Sequence, residues 1–96
     1  MLKHIVLFKF REGAEKAENM NKVKSMLEAL PSNISEIRFF EVGKSFNPNG
    51  SHDLVLYSEF DSEDALYRYQ KHPEHIKVVG LVDRVCESRI AADYII

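Results

Sequence analysis

Tryptophan is absent and cysteine occurs once, at Cys86, in a chain of 96 residues. A lone thiol forms no internal disulfide and has no second thiol with which to build a metal site. The four glycines are scattered and only three prolines interrupt the chain. There is no glycine-rich phosphate loop, no Gly-x-Ser-x-Gly nucleophile elbow and no Cys/His spacing of the zinc-binding kind. Neither sign of charge dominates: 13 Lys and Arg against 15 Asp and Glu leave a net charge of −2, not the strongly basic face that nucleic acid requires. The first apolar run, Ile5 to Leu7, gives way to charge at Lys9 and Arg11. It is far too short for a signal-peptide core or a membrane span. These absences point to a cytoplasmic protein that engages neither nucleic acid nor membrane, with no metal or cofactor expected.

What is present looks ordinary for a globular protein: 45% apolar and 29% charged residues. The length predicts a single domain over 1–96, with a modest core that a partner subunit would supplement.

Residues 3–10, Lys-His-Ile-Val-Leu-Phe-Lys-Phe, read as a strand with His4, Val6, Phe8 and Phe10 on one face. Met20, Val23, Leu27 and Leu30 recur at helical spacing until Pro31-Ser32-Asn33 stops the helix. A second strand is expected over about 36–45, with Ile37, Phe39, Glu41 and Gly43 opposed to Arg38, Phe40 and Val42. Asn47-Pro48-Asn49-Gly50 is a turn signal, and a third strand over 53–60 pairs back as a hairpin. Asp61-Ser62-Glu63-Asp64 starts a helix that runs to about Lys71. Pro73 then opens a further helical stretch to about Glu87, whose buried side is read from Ile76 and Val79. A last strand covers 88–96. The order is β-α-β-β-α-β, an α+β protomer of the ferredoxin-like kind: a four-stranded antiparallel sheet with helices on one face.

Strands one to three carry apolar residues on both sides, whereas a sheet with one wet face should alternate cleanly. Ile5, Leu7, Phe40, Val42, Val55 and Tyr57 need a cover if they share the second face. The economical cover is a second copy, a homodimer joined through the sheet face.

Histidines and tyrosines are the residues that could carry chemistry. His4 points into apolar company, where burial favours a neutral imidazole; a core histidine with one hydrogen bond is the plainer reading. His72 and His75 flank Pro73-Glu74 and could form half of a metal site, but a catalytic zinc needs at least a third protein ligand. His72 alone reads as a solvated turn residue, while His75 could reach under its helix towards the sheet. Tyr69 is either core filling or a hydroxyl at a rim. Asp93 is either an exposed strand residue or the partner that fixes a histidine's tautomer. Cys86 reads as a small apolar packing group. Together His4, Tyr69, His75 and Asp93 can converge on a pocket between sheet and helices. Val6, Phe8, Val23, Leu27 and Leu56 are the candidates for its apolar, substrate-binding walls.

The opening Lys-His-Ile-Val-Leu-Phe-Lys-Phe, Glu-Val-Gly at 41–43, Tyr-Gln-Lys-His-Pro-Glu-His at 69–75 and Asp-Tyr at 93–94 together resemble the stress-responsive α/β-barrel (Dabb) family over residues 2–95. The resemblance implies a ferredoxin-like protomer and a dimer whose two sheets form an α+β barrel. One plant branch of that family cyclises a linear polyketide by intramolecular aldol condensation without a cofactor. Its site residues fall on His4, Tyr69, His75 and Asp93. That branch also has a tyrosine in the first helix, and no tyrosine occurs here between residues 11 and 56.

Two functions follow. One is a small-molecule-binding, stress-responsive protein without catalysis. The other is a cofactor-free enzyme acting on a small, partly apolar carbonyl compound, in which His75, oriented by Asp93, abstracts a proton while Tyr69 and His4 hydrogen-bond the enolate. The related barrel monooxygenases, which often place a tryptophan in the pocket, fit a chain without tryptophan poorly.

Overall fold

Leu2–Phe10 forms strand β1, and Leu2, His4, Val6, Phe8 and Phe10 are buried while the residues between them are half-buried. Side chains alternate across a strand, so this pattern gives one face to the core and leaves Lys3, Ile5, Leu7 and Lys9 on the other. The computed structural model describes residues 1–96. After β1 come helix α1 (Lys16–Glu28), a short 3-10 turn (Leu30–Ser32), strands β2 (Phe39–Lys44) and β3 (Leu54–Phe60), helices α2 (Glu63–Lys71) and α3 (Pro73–Val85), and strand β4 (Cys86–Ile95). Gly13, at φ 147°, makes the turn into α1 with a backbone conformation that side chains disfavour.

The sheet is antiparallel throughout, in the order β2-β3-β1-β4. This is the expected ferredoxin-like arrangement, with its second helix broken into two. His72 makes the break. Its ψ of 136° is extended, as the residue before a proline prefers, and its Nδ1 accepts the backbone N–H of Glu74 at 3.1 Å to cap α3. His72 is half-buried and spends that lone pair on the cap, so it is a structural hinge rather than a solvated turn residue. At the other end of α2, the Ser62 hydroxyl accepts from Ala65 N at 3.2 Å, and Glu63 and Asp64 complement the helix dipole.

Two faces differ from the expectation. Register pairs Phe40 with Ser58 and Val42 with Leu56, which places Phe40 and Val42 on the helix-covered side. The outer side of β2 carries Phe39, Glu41 and Gly43 instead. In α3 the buried residues are Val78, Leu81 and Val82, while Ile76 is 57% exposed. This helix has two overlapping apolar stripes, and packing against the sheet selects the one that starts at Val78.

The core lies between the sheet and the helices, and Phe10, Leu54, Phe60, Tyr69 and Val23 are fully buried there. Cys86 is buried with them, and desolvation pushes its thiol up to about 11, the state of an inert packing group. Across the sheet, Ile5, Leu7, Val55 and Tyr57 form a half-buried apolar patch on a face that no helix covers. Phe39, Ile90 and Tyr94 extend it at the edges. Lys3, Glu59 and Tyr57 form a hydrogen-bonded cluster on that same face, with Lys3 Nζ to Glu59 at 2.8 Å and the Tyr57 hydroxyl to Glu59 at 2.7 Å.

Candidate functional site

His4 is the third residue of β1, opposite Ser58 on one side and Asp93 on the other. Directly opposed residues on neighbouring strands share a face, so Asp93 lies beside the His4 ring and its carboxylate hydrogen-bonds Nδ1. A carboxylate only accepts, which puts the imidazole proton on Nδ1 and leaves Nε2 with its lone pair. The His4 side chain is 7% exposed. It is held edge-on by Phe60 and Tyr69, each with ring centroids 6.3 Å away.

Tyr69 comes from the last turn of α2 and is fully buried. It packs on Phe60 at 4.9 Å and on the His75 ring at 4.5 Å, and so lies between the two imidazoles. Desolvation is the whole cause of its raised pKa, so the phenol stays protonated and can donate a hydrogen bond.

His75 stands in the first turn of α3, where its Nδ1 donates to the Gln70 carbonyl at 3.0 Å. That oxygen is one of the C-terminal carbonyls of α2 that lose their helical partner at the His72 break. Its Nε2 therefore also keeps a lone pair. Desolvation lowers the His75 pKa; the Gln70 bond opposes this, and the charges of His4, Arg89 and His72 add to the lowering.

The unfolded chain takes up a proton at His75 near pH 6.5, whereas the folded chain resists it, so stability rises with pH across this interval. Melting temperature is expected to fall as pH drops below about 6.5 and to stop responding to His75 once pH passes below its folded value. In His75→Gln, thermal melts between about pH 6.5 and 5.5 should be flatter than in the wild type. An equal slope in both would remove His75 as the cause.

These three rings line a cavity of about 370 Å³ between the sheet and α2–α3. Its apolar walls include Val6, Phe8, Leu27 and Leu56, together with Val78, Val79 and Val82 of α3. Val23, expected on these walls, is instead buried in the core outside the lining. Asp93 does not line the cavity either; it acts on it through His4. The pairing of Asp93 with His75, one of the alternatives read from the sequence, does not occur. Gln70 takes that place on His75, and Asp93 belongs to His4. No third His, Cys, Asp or Glu joins His72 and His75 into a group that could hold a metal ion. The cavity opens past β4, whose residues after Cys86 are all exposed. Arg89, Ile90 and Ala91 form its mouth and were not singled out from the sequence. Strand parity carried the signal for two of them: where Asp93 faces the helices, Ala91 and Arg89 do too.

A β2-β3-β1-β4 sheet backed by helices defines an α+β protein of the ferredoxin-like fold, with an apolar-walled pocket on its helix side. Residues 2–96 match the family model described as stress responsive A/B barrel domain, and the chain belongs to that family. An uncharacterised protein of Streptomyces coelicolor is 34% identical over 98% of this chain and 98% of its own length. A stress-response A/B barrel domain-containing protein of Arabidopsis thaliana is 28% identical over 99% of the chain, which spans 36% of that longer protein. Among solved structures, a dimeric protein of unknown function from Bacteroides fragilis superposes with a TM-score of 0.92 at 44% identity, covering 99% of this chain and 95% of that one. A hydroxynitrile lyase from Passiflora edulis shares the fold at a TM-score of 0.87 and 16% identity, over 99% and 92% of the two chains. No helix is long and apolar enough to cross a membrane.

Proposed function

We propose that this chain binds a small, partly apolar molecule in the cavity between β1 and α2–α3, and that it does so as a homodimer joined through the outer face of the sheet. The observation that carries the binding reading is the convergence of His4, Tyr69 and His75 on one apolar-walled space of about 370 Å³. Small-molecule sites combine such walls with a few convergent polar groups. The dimer rests on the uncovered patch of Ile5, Leu7, Val55 and Tyr57. It is supported by the dimeric description of the Bacteroides fragilis protein, at 44% identity.

A second reading, cofactor-free proton transfer next to a carbonyl, is favoured by the His4–Asp93 pair. A carboxylate on Nδ1 stabilises the imidazolium that forms when Nε2 takes a proton. In this reading His4 removes the proton from the carbon beside the carbonyl, and the electron pair moves onto the carbonyl oxygen as an enolate. The Tyr69 hydroxyl and the His75 side chain flank that oxygen. The base is thus His4, the imidazole that Asp93 orients, and His75 takes the supporting role.

The probe 4-phenyl-2-butanone tests both readings. At a hundred times its Kd a ligand of the folded state adds about 2.7 kcal/mol of stability, so it should raise the melting temperature of the wild type. Val79→Trp, which fills the cavity from α3, should abolish that rise; an undiminished rise would place binding elsewhere. Exchange of the ketone's α-protons for deuterium, followed by proton NMR, should be accelerated by the wild type. His4→Ala should reduce it by about 100-fold or more, the contribution typical of a general base. Binding without exchange would leave the non-catalytic reading.

A further inference from the structure

Arg89 faces the cavity from the edge strand. It stands opposite Phe8, whose side chain points to the helices, and it lines the cavity mouth. No Asp, Glu or Lys shares that lining, so Arg89 is the one lining side chain whose charge does not titrate. Its nearest anionic partner is Asp83, 3.7 Å away with both side chains largely exposed. A contact that long is no hydrogen bond, and a solvent-screened pair of this kind is worth little. Of the two acids on β4, Asp93 is engaged by His4, and Glu87 forms no ion pair with Arg89, whose one such contact is the long one to Asp83. The cavity therefore presents apolar walls, hydrogen-bonding side chains within, and one weakly paired guanidinium at the entrance. Its charge is felt inside, where it helps to hold down the His75 pKa.

We propose that the ligand of this cavity is a carboxylate: an apolar body against the α3 valines, with its anionic end paired to Arg89. This deepens the binding reading above and rests on it. Guanidinium and carboxylate pair through two parallel N–H···O bonds, and an incoming carboxylate displaces only the loose contact to Asp83. Neutral ligands of the same shape keep the walls but forfeit the charged end.

Matched probes test this: 3-phenylpropanoate against 3-phenylpropanamide, titrated calorimetrically at low salt, with imidazole NMR shifts of His4 and His75 as the marker of location. The carboxylate should bind the wild type at least about tenfold more tightly than the amide, the scale of one charge-assisted pair. Arg89→Gln should bring the ratio close to one. Arg89→Lys, a point charge without the fork, should keep part of it. Asp83→Asn, which removes the resident acid, should enlarge it. Equal affinities in the wild type, with the imidazoles still responding, would overturn the carboxylate assignment and leave the cavity reading intact. So would a ratio that survives Arg89→Gln. If neither probe moved the imidazoles, both readings would fall together.

Discussion

Leu7→Glu is expected to convert the protein from a species of about twice 11.1 kDa to one of 11.1 kDa in sedimentation at micromolar concentration. Leu7 is opposed by Val55 on β3 and by Ile90 on β4, so it lies at the centre of the outer sheet patch. If two sheets pack face to face through a twofold axis, each copy of the variant buries a carboxylate against apolar surface. An uncompensated buried charge costs about 3–5 kcal/mol, and two of them would weaken the dimer by several decades at about 1.4 kcal/mol each. The monomer should stay folded, because Leu7 contributes nothing to the helix-side core. Lys9→Glu, on the same strand face but beside Ser88 rather than an apolar partner, should leave the mass unchanged. A Leu7→Glu protein that sediments as the wild type does would place the interface elsewhere.

Tyr69 separates packing from chemistry. Tyr69→Ala removes a fully buried ring that touches Phe40, Phe60, His4 and His75. Such deletions cost about 3–5 kcal/mol. For a chain of this size that lowers the melting temperature by at least about 12 °C. Tyr69→Phe keeps the ring and strips only a hydroxyl whose raised pKa owes nothing to a hydrogen-bond partner. Its stability should stay within about 1 kcal/mol of the wild type. Affinity for a ketone probe should nonetheless fall by about tenfold, the loss of one hydrogen bond to the ligand. If Tyr69→Phe were as unstable as Tyr69→Ala, the hydroxyl would be structural and the donor role assigned to it would be lost.

Parts of this molecule are legible in its sequence because a single pattern decides them. The alternation of β1 and of β3 put His4, Val6, Phe8, Leu54 and Leu56 on the core side, and Pro73 after a helix end located the break at His72. Other parts depend on register, which no local pattern carries. In β2, Phe39 and Phe40 are equally apolar, and only pairing with β3 across the 45–53 connection sends Phe40 inward. In α3, Ile76, Val78, Val79, Leu81 and Val82 satisfy two helical stripes at once, and the sheet chooses between them. Asp93 was legible as a partner for some histidine. That the histidine is His4 follows from the β1–β4 register, which joins residues at opposite ends of the chain. Arg89 was hidden for a related reason, since an arginine on an exposed edge strand ordinarily belongs to solvent.

If the cavity takes a guest as proposed, the two imidazoles under the helices offer it their Nε2 atoms. Long-range proton–nitrogen NMR of the histidine side chains at pH 7.5 tests that directly. Both His4 and His75 should carry their proton on Nδ1, and titration with 4-phenyl-2-butanone should shift both Nε2 signals while those of His52, in the loop between β2 and β3, stay still. A protonated Nε2 on either ring, or a titration that moves neither, would contradict it.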